Sequence, residues 1–236
     1  MKTEKLPYTE GADAFDAFLA RPADPGDHPA VLVFHAFGGR DDFAEAKAKK
    51  LAELGYVGAA IDLYGLGKRG TDRASSSALM MELIGDPPKL RRRIAAAYQA
   101  VRLADGVDPD RMGAIGFCFG GMCALLGARM GLALRGVVSF HGLLKIGEPL
   151  DEKVRARLLV LHGQDDPMAP PADVGAFAEE MKRIDADWTL HAYPGVMHAF
   201  TNPVANDPDF GTVYDADADR RSWIEMTRFF EDTLGD

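Results

Sequence analysis

Short apolar runs of strand length recur along the chain, separated by stretches in which apolar residues return every three or four positions. The runs are AVLVF (30–34), VGAAI (57–61), MGAIG (112–116), GVVSF (136–140), RLLVL (157–161) and WTLHAY (188–193). They do not alternate strictly with polar residues, which predicts strands covered on both faces. Between them the periodicity predicts helices over 41–54, 87–104, 119–131, 171–184 and 218–233. Strand and helix in alternation predict an α/β fold with a mostly parallel, doubly wound sheet flanked by helices. No repeat, low-complexity tract or linker divides the 236 residues, so a single domain spanning 1–236 is expected.

Ligands of such sheets collect at the carboxyl ends of the strands, so the residues just after each run are the ones to inspect. They read HAFGG (35–39), DLYGLGKRG (62–70), FCFGG (117–121), HGLL (141–144), HGQDDPMAP (162–170) and PGVMHAF (194–200). The long irregular stretch TNPVANDPDFGTVYD (201–215) is a candidate wall or lid.

Composition narrows the class of function. Apolar residues make up 47% and charged residues 27%, the balance of a globular protein, and the net charge is −9. Only LRRR (90–93) clusters basic residues, and it reads as the solvated face of a helix. Nucleic acid and anionic membrane are therefore not expected as partners. The N-terminus lacks the apolar core of a signal peptide, and no uncharged run reaches the roughly 18 residues of a membrane span. A cytoplasmic location is the expectation. The two cysteines, Cys118 and Cys123, are too few for a disulfide framework, and on one helix they would diverge by about 140°.

The candidate chemistry starts at Cys118. Gly116, Cys118 and Gly120 form GxCxG, the thiol version of the GxSxG elbow, in which a nucleophile sits on a strained strand-to-helix turn. Glycines are needed where side chains would collide with the packed strand and helix, and the helix N-terminus favours thiolate. The bland alternative is an inert buried cysteine. Asp165 and Asp166 follow a strand and are the candidate acids; the spacing of Asp166 from Gly163 and Pro170 resembles the acid loop of α/β-hydrolases, which favours Asp166. His198, in the loop after the last run, is the candidate base. In this reading His198 takes the thiol proton and Asp166 fixes its tautomer. His28 and His191 read as structural, and His35, His141 and His162 as pocket or floor residues. Backbone N–H groups of Phe119 and of Ala36 or Phe37 are the candidate oxyanion donors. GLGKRG (65–70) matches GxGxxG, but the polar TDRASSS that follows is not the tight helix opening that dinucleotide binding requires.

With elbow, acid and base in that order, the chain resembles the dienelactone hydrolase family of the α/β-hydrolase superfamily. The resemblance rests on VLVFHAFGG, LAELGYVGAAIDLYGLG, IGFCFGG, LHGQDDPMAP and MHAF, which run through nearly the whole chain. It implies the α/β-hydrolase fold, a Cys118, Asp166, His198 triad, no metal and no cofactor, and an ester, lactone or thioester of a small molecule as substrate. Two positions depart from the dienelactone enzymes. Their glutamate in the block before FG is replaced here by His35 or Ala36, and their arginine four residues after the catalytic histidine is Asn202. His35, Phe37, His141, Asn202 and Tyr214 are the candidate substrate contacts, with Arg69 or Arg73 available to an anionic group. Two other readings compete: a redox- or electrophile-responsive thiol protein, and a non-catalytic binding protein on a hydrolase fold.

Overall fold

A computed structural model of the chain describes residues 1–148 and 153–235. The chain opens with a hairpin, β1 (Lys2–Glu10) and β2 (Asp13–Arg21), and continues β3 (His28–Phe34), α1 (Asp42–Glu53), β4 (Val57–Ile61), α2 (Arg73–Ile84) and α3 (Pro87–Arg102). Then come β5 (Val107–Phe117), α4 (Phe119–Arg129), β6 (Gly136–Phe140), β7 (Arg157–Gly163), α5 (Pro171–Arg183) and β8 (Trp188–Tyr193). A small hairpin, β9 (Asn206–Asp207) and β10 (Thr212–Val213), precedes α6 (Ala216–Leu234). Eight strands form one sheet in the order β1-β2-β4-β3-β5-β6-β7-β8, parallel from β4 to β8. The hairpin extends it antiparallel at one edge.

Successive side chains of a strand point to opposite faces, and here each face has its own core. Ile115 and Phe117 of β5 face α1 and α6, where they meet Ala48, Leu51, Met226 and Phe230. Met112 and Ala114 face the opposite side, with Ile94 and Val101 of α3, Leu125 of α4 and Met181 of α5. Every residue of β4 and β6 is buried, which accounts for their apolar sequence, interrupted only by Ser139 of β6. Gly58 is required where α1 crosses β4, since a Cβ there would stand 2.2 Å from the Ala48 carbonyl oxygen.

All six predicted strands and five predicted helices are present, with ends shifted by a few residues. Two segments differ from expectation. The edge hairpin carries polar residues along β1 and turns through Gly11 at φ 58°, so it shows no apolar run. TDRASSS opens α2, with Asp72 and Ser75 forming a reciprocal cap; only Ser76 and Leu83 of that helix are buried, hence its missing periodicity. The arginine run is also corrected. Arg91 and Arg92 are exposed, but Arg93 is buried and donates to the Leu63 carbonyl (2.7 Å) and to Asp13 (2.6 Å). Likewise His28 opens β3 rather than lying in a loop, and β8 alternates as an edge strand rather than being covered on both faces. Among the described residues no helix is long and apolar enough to cross a membrane.

Candidate active site

Chain order reverses on either side of β3, which pairs with β4 on one flank and β5 on the other. The crevice between the carboxyl ends of β3 and β5 is where a ligand fits such a sheet. Cys118 stands there, between the last residue of β5 and the first of α4, at φ 56° and ψ −119°. That conformation costs about 1–3 kcal/mol for a residue with a side chain. It is held by the Cys118 N–H, which donates to the Phe140 carbonyl (3.1 Å) and to His141 Nδ1 (3.2 Å). A Cβ on Gly116 would lie 1.9 Å from the Gly120 oxygen, and one on Gly120 would lie 2.1 Å from the Phe34 oxygen. The two glycines let strand and helix approach closely enough to make the turn.

Asp166 and His198 come from the loops after β7 and β8. The Asp166 N–H closes a turn onto the Gly163 carbonyl (3.1 Å), turning its carboxylate inward, whereas Asp165 is exposed. Asp166 accepts from the Met168 N–H (2.8 Å) and from His198 Nδ1 (2.7 Å). Of the two candidates, Asp166 is the carboxylate that meets His198, and Asp165 is not. The hairpin fixes the His198 backbone: its N–H donates to Gly211 (3.0 Å) and its carbonyl accepts from Val213 (3.0 Å). With Nδ1 committed to Asp166, the buried Nε2 has no well-formed hydrogen bond and meets the Cys118 sulfur.

The charges at this junction reinforce one another. Burial by itself would raise the Cys118 thiol, but the His198 cation and the N–H groups of Phe119 and Phe37 outweigh it and bring the thiol below its usual value. Burial would likewise depress His198, yet the Cys118 thiolate and the Asp166 carboxylate push it up to about 10. Both shifts run in the direction of a thiolate paired with an imidazolium. Cys123, buried five residues on, is raised well above its ordinary value by burial and by the Cys118 charge, which leaves it an inert thiol.

Of the two candidate donors after β3, Phe37 is the one whose N–H reaches the sulfur. Ala36 borders the same cavity, and its carbonyl points to His35 and Gly39. The cavity measures about 240 Å³. Its walls are mainly apolar, with Phe37, Phe43, Met80, Phe117, Leu143, Met168 and Phe210, and Asn202 and Thr201 add polar edges. His141 lies on the floor, its Nε2 toward Thr201 (2.8 Å) and its ring against His198 at 5.0 Å. Burial and the His198 charge hold it neutral, far below its usual value.

His35 and Tyr214 do not line this wall, contrary to the sequence reading. His35 lies beneath the loop with both ring nitrogens engaged, and Tyr214 turns toward Asp219. His162, also expected at the pocket or its floor, is buried in β7 away from it. Arg69 is outside as well, whereas Arg73 borders the cavity but is paired with Asp207 and lies 4.0 Å above the Phe210 ring. Residues 201–215 form a wall through Thr201, Asn202, Phe210 and Thr212. Phe43, Met80 and Met168 carry no sequence signal, since their place on the wall depends on how α1, α2 and the acid loop pack. Among the described residues no group of three or more His, Cys, Asp or Glu side chains could hold a metal.

Residues 15–234 match the model of the dienelactone hydrolase family. The chain belongs to that family. It is 32% identical over 195 residues to a Bradyrhizobium protein named as a probable 2-oxo-3-(5-oxofuran-2-ylidene)propanoate lactonase, covering 78% of each chain. An uncharacterised Caenorhabditis elegans protein is 37% identical over 150 residues, 62% of this chain and 95% of that one. Among solved structures, a dienelactone hydrolase-like promiscuous phosphotriesterase from metagenomic libraries superposes with a TM-score of 0.93 at 34% identity, covering 99% of both chains. As a dienelactone hydrolase family member the protein is a hydrolase on the α/β-hydrolase fold.

Proposed function

We propose that the protein hydrolyses uncharged esters, lactones or thioesters of small molecules through an acyl-enzyme on Cys118. The observation that carries this reading is the meeting of the Cys118 sulfur, the His198 imidazole held by Asp166 and two backbone N–H donors at the floor of one apolar cavity. The thiolate attacks the substrate carbonyl, and the oxyanion that forms is stabilised by the N–H groups of Phe119 and Phe37. His198 gives its proton to the departing alkoxide or thiolate, leaving a thioester on Cys118. The neutral imidazole then takes a proton from water, which attacks the thioester. Collapse of the second tetrahedral intermediate releases the carboxylic acid and returns the thiolate.

Neutral substrates follow from the walls. Asn202 offers no charge, Asp41 brings a negative one, and the Arg73 guanidinium is already matched by Asp207. A panel of p-nitrophenyl esters, lactones and acyl thioesters tests the proposal with wild type, Cys118→Ala and His198→Ala. Each variant is expected to lose roughly 10³–10⁶-fold in kcat/KM. Turnover by Cys118→Ala at the wild-type rate would end the reading.

The phosphotriesterase among the structural relatives supports a second activity for the same site. An uncharged phosphate triester presents a phosphoryl oxygen to the same two donors and a good leaving group to His198. Release of p-nitrophenol from a dialkyl p-nitrophenyl phosphate, lost in Cys118→Ala, is the expected result.

A further inference from the structure

The loop after β3 presents a donor that has no side chain of its own to aim it. A trans peptide is planar, with its carbonyl and its N–H on opposite sides, so whatever fixes the Ala36 oxygen also fixes the direction of the Phe37 N–H. The Ala36 oxygen is held by two groups on the side away from the cavity: His35 Nδ1 at 2.6 Å and the Gly39 N–H at 3.2 Å. The neighbouring carbonyls are tied as well, Phe37 by the Tyr64 hydroxyl (2.8 Å) and Gly38 by the Gly70 N–H (2.9 Å).

His35 is equipped for this task. The Leu63 N–H donates to its Nε2 at 3.3 Å, so the ring proton sits on Nδ1 and points at the Ala36 oxygen. Its ring is fixed edge-on against Tyr64 at 4.7 Å and lies 6.2 Å from Phe119, the residue that supplies the other donor. It is fully buried, and burial lowers its pKa to about 4, so it stays neutral and keeps this one tautomer across the working range. Protonation would put a hydrogen on Nε2 facing the Leu63 N–H and break the arrangement.

We infer that His35 is the positioning residue for the oxyanion donor, its Nδ1–H holding the Ala36 carbonyl so that the Phe37 N–H faces the reacting centre. A hydrogen bond to that carbonyl also polarises the amide and strengthens its N–H as a donor. His35 therefore acts without touching substrate, and the inference rests on the hydrolase reading above.

The test compares His35→Leu, which keeps bulk and loses the donor, with His35→Asn, whose amide nitrogen can stand where Nδ1 stood. Two readouts are taken: kcat and KM for a p-nitrophenyl ester, and the pH midpoint of Cys118 alkylation by iodoacetamide. His35→Leu is expected to lose about 10–100-fold in kcat with KM little changed, a part of what removal of an oxyanion donor costs. Its alkylation midpoint should rise, because the thiolate loses a donor, and His35→Asn should recover most of both. A merely structural histidine would lower thermal stability and leave the midpoint and the split between kcat and KM as in wild type, and that result overturns the inference. Nitrogen-15 NMR of the wild-type His35 ring provides a measurement that no folding defect can obscure. Nδ1 protonated and Nε2 bare from pH 5 to pH 9 is expected, and the opposite tautomer overturns the inference. Failure of wild type to hydrolyse any ester would end the hydrolase reading alone, since the alkylation midpoints and the tautomer still decide the role of His35.

Discussion

Asp166 shapes the behaviour of two other residues at once, because its carboxylate holds His198 Nδ1 and the His198 charge in turn lowers the Cys118 thiol. Asp166→Asn removes one of the charges that raise His198, so its pKa falls, and a weaker cation lets Cys118 rise. Iodoacetamide should then require a higher pH than in wild type, and kcat/KM should drop by about 10²–10⁴-fold. In wild type the rate is expected to climb with pH through a thiol midpoint below the ordinary value for cysteine of about 8.5. It should fall again only when His198, raised to about 10, loses its proton. A kcat/KM profile with its acidic limb above pH 8.5 would contradict this. Cys118, Asp166 and His198 were legible as a set in the sequence because side-chain chemistry, glycine spacing and strand-end placement all bear on them. The donor after β3 was not, since any residue supplies an N–H and only the fold distinguishes Ala36 from Phe37.

Elements are legible where burial writes a period into the sequence. The covered strands β4 and β6 and the helix α3, with its buried stripe Leu90, Ile94, Ala97 and Val101, announce themselves. The helix α2 and the edge strand β1 do not, because each leaves most of its residues exposed or only half-buried. Gly58→Ala forces α1 off β4 and should cost about 1–3 kcal/mol or more, read as a lower urea midpoint with Cys118 alkylation unchanged in the surviving native protein. The pair between Arg73 of α2 and Asp207 of β9 is exposed, so its loss should leave thermal stability nearly unchanged. Its effect is on selectivity instead. Asp207→Asn frees a cation at the cavity edge and should improve kcat/KM for carboxylate-bearing esters relative to neutral ones, by roughly two- to five-fold. An unchanged ratio would show that Arg73 does not reach the substrate.

Across the whole molecule the net charge of −9 acts on any charged ligand before it arrives. Raising ionic strength from about 0.01 M to 0.15 M shortens the screening length from roughly 30 Å to 8 Å. The rate with an anionic ester should rise over that interval while the rate with a neutral ester stays level, and equal responses would show that the field does not steer the substrate. The sheet as a whole assembles the site, for its parts come from the ends of β3, β5, β7 and β8 and from the hairpin before α6. The mostly parallel sheet follows from α/β patterning in the sequence, but its strand order and the cavity's apolar walls do not, the walls being drawn from single residues on separately packed elements. In the proposed mechanism this assembly makes Cys118 carry the acyl group. Acid quenching during turnover of p-nitrophenyl acetate, followed by mass spectrometry of the peptide containing Cys118, tests it most directly. One acetyl group on Cys118, removed by hydroxylamine and absent in Cys118→Ala, is the expected result; steady turnover with that peptide unmodified and Cys118→Ala still active would contradict it.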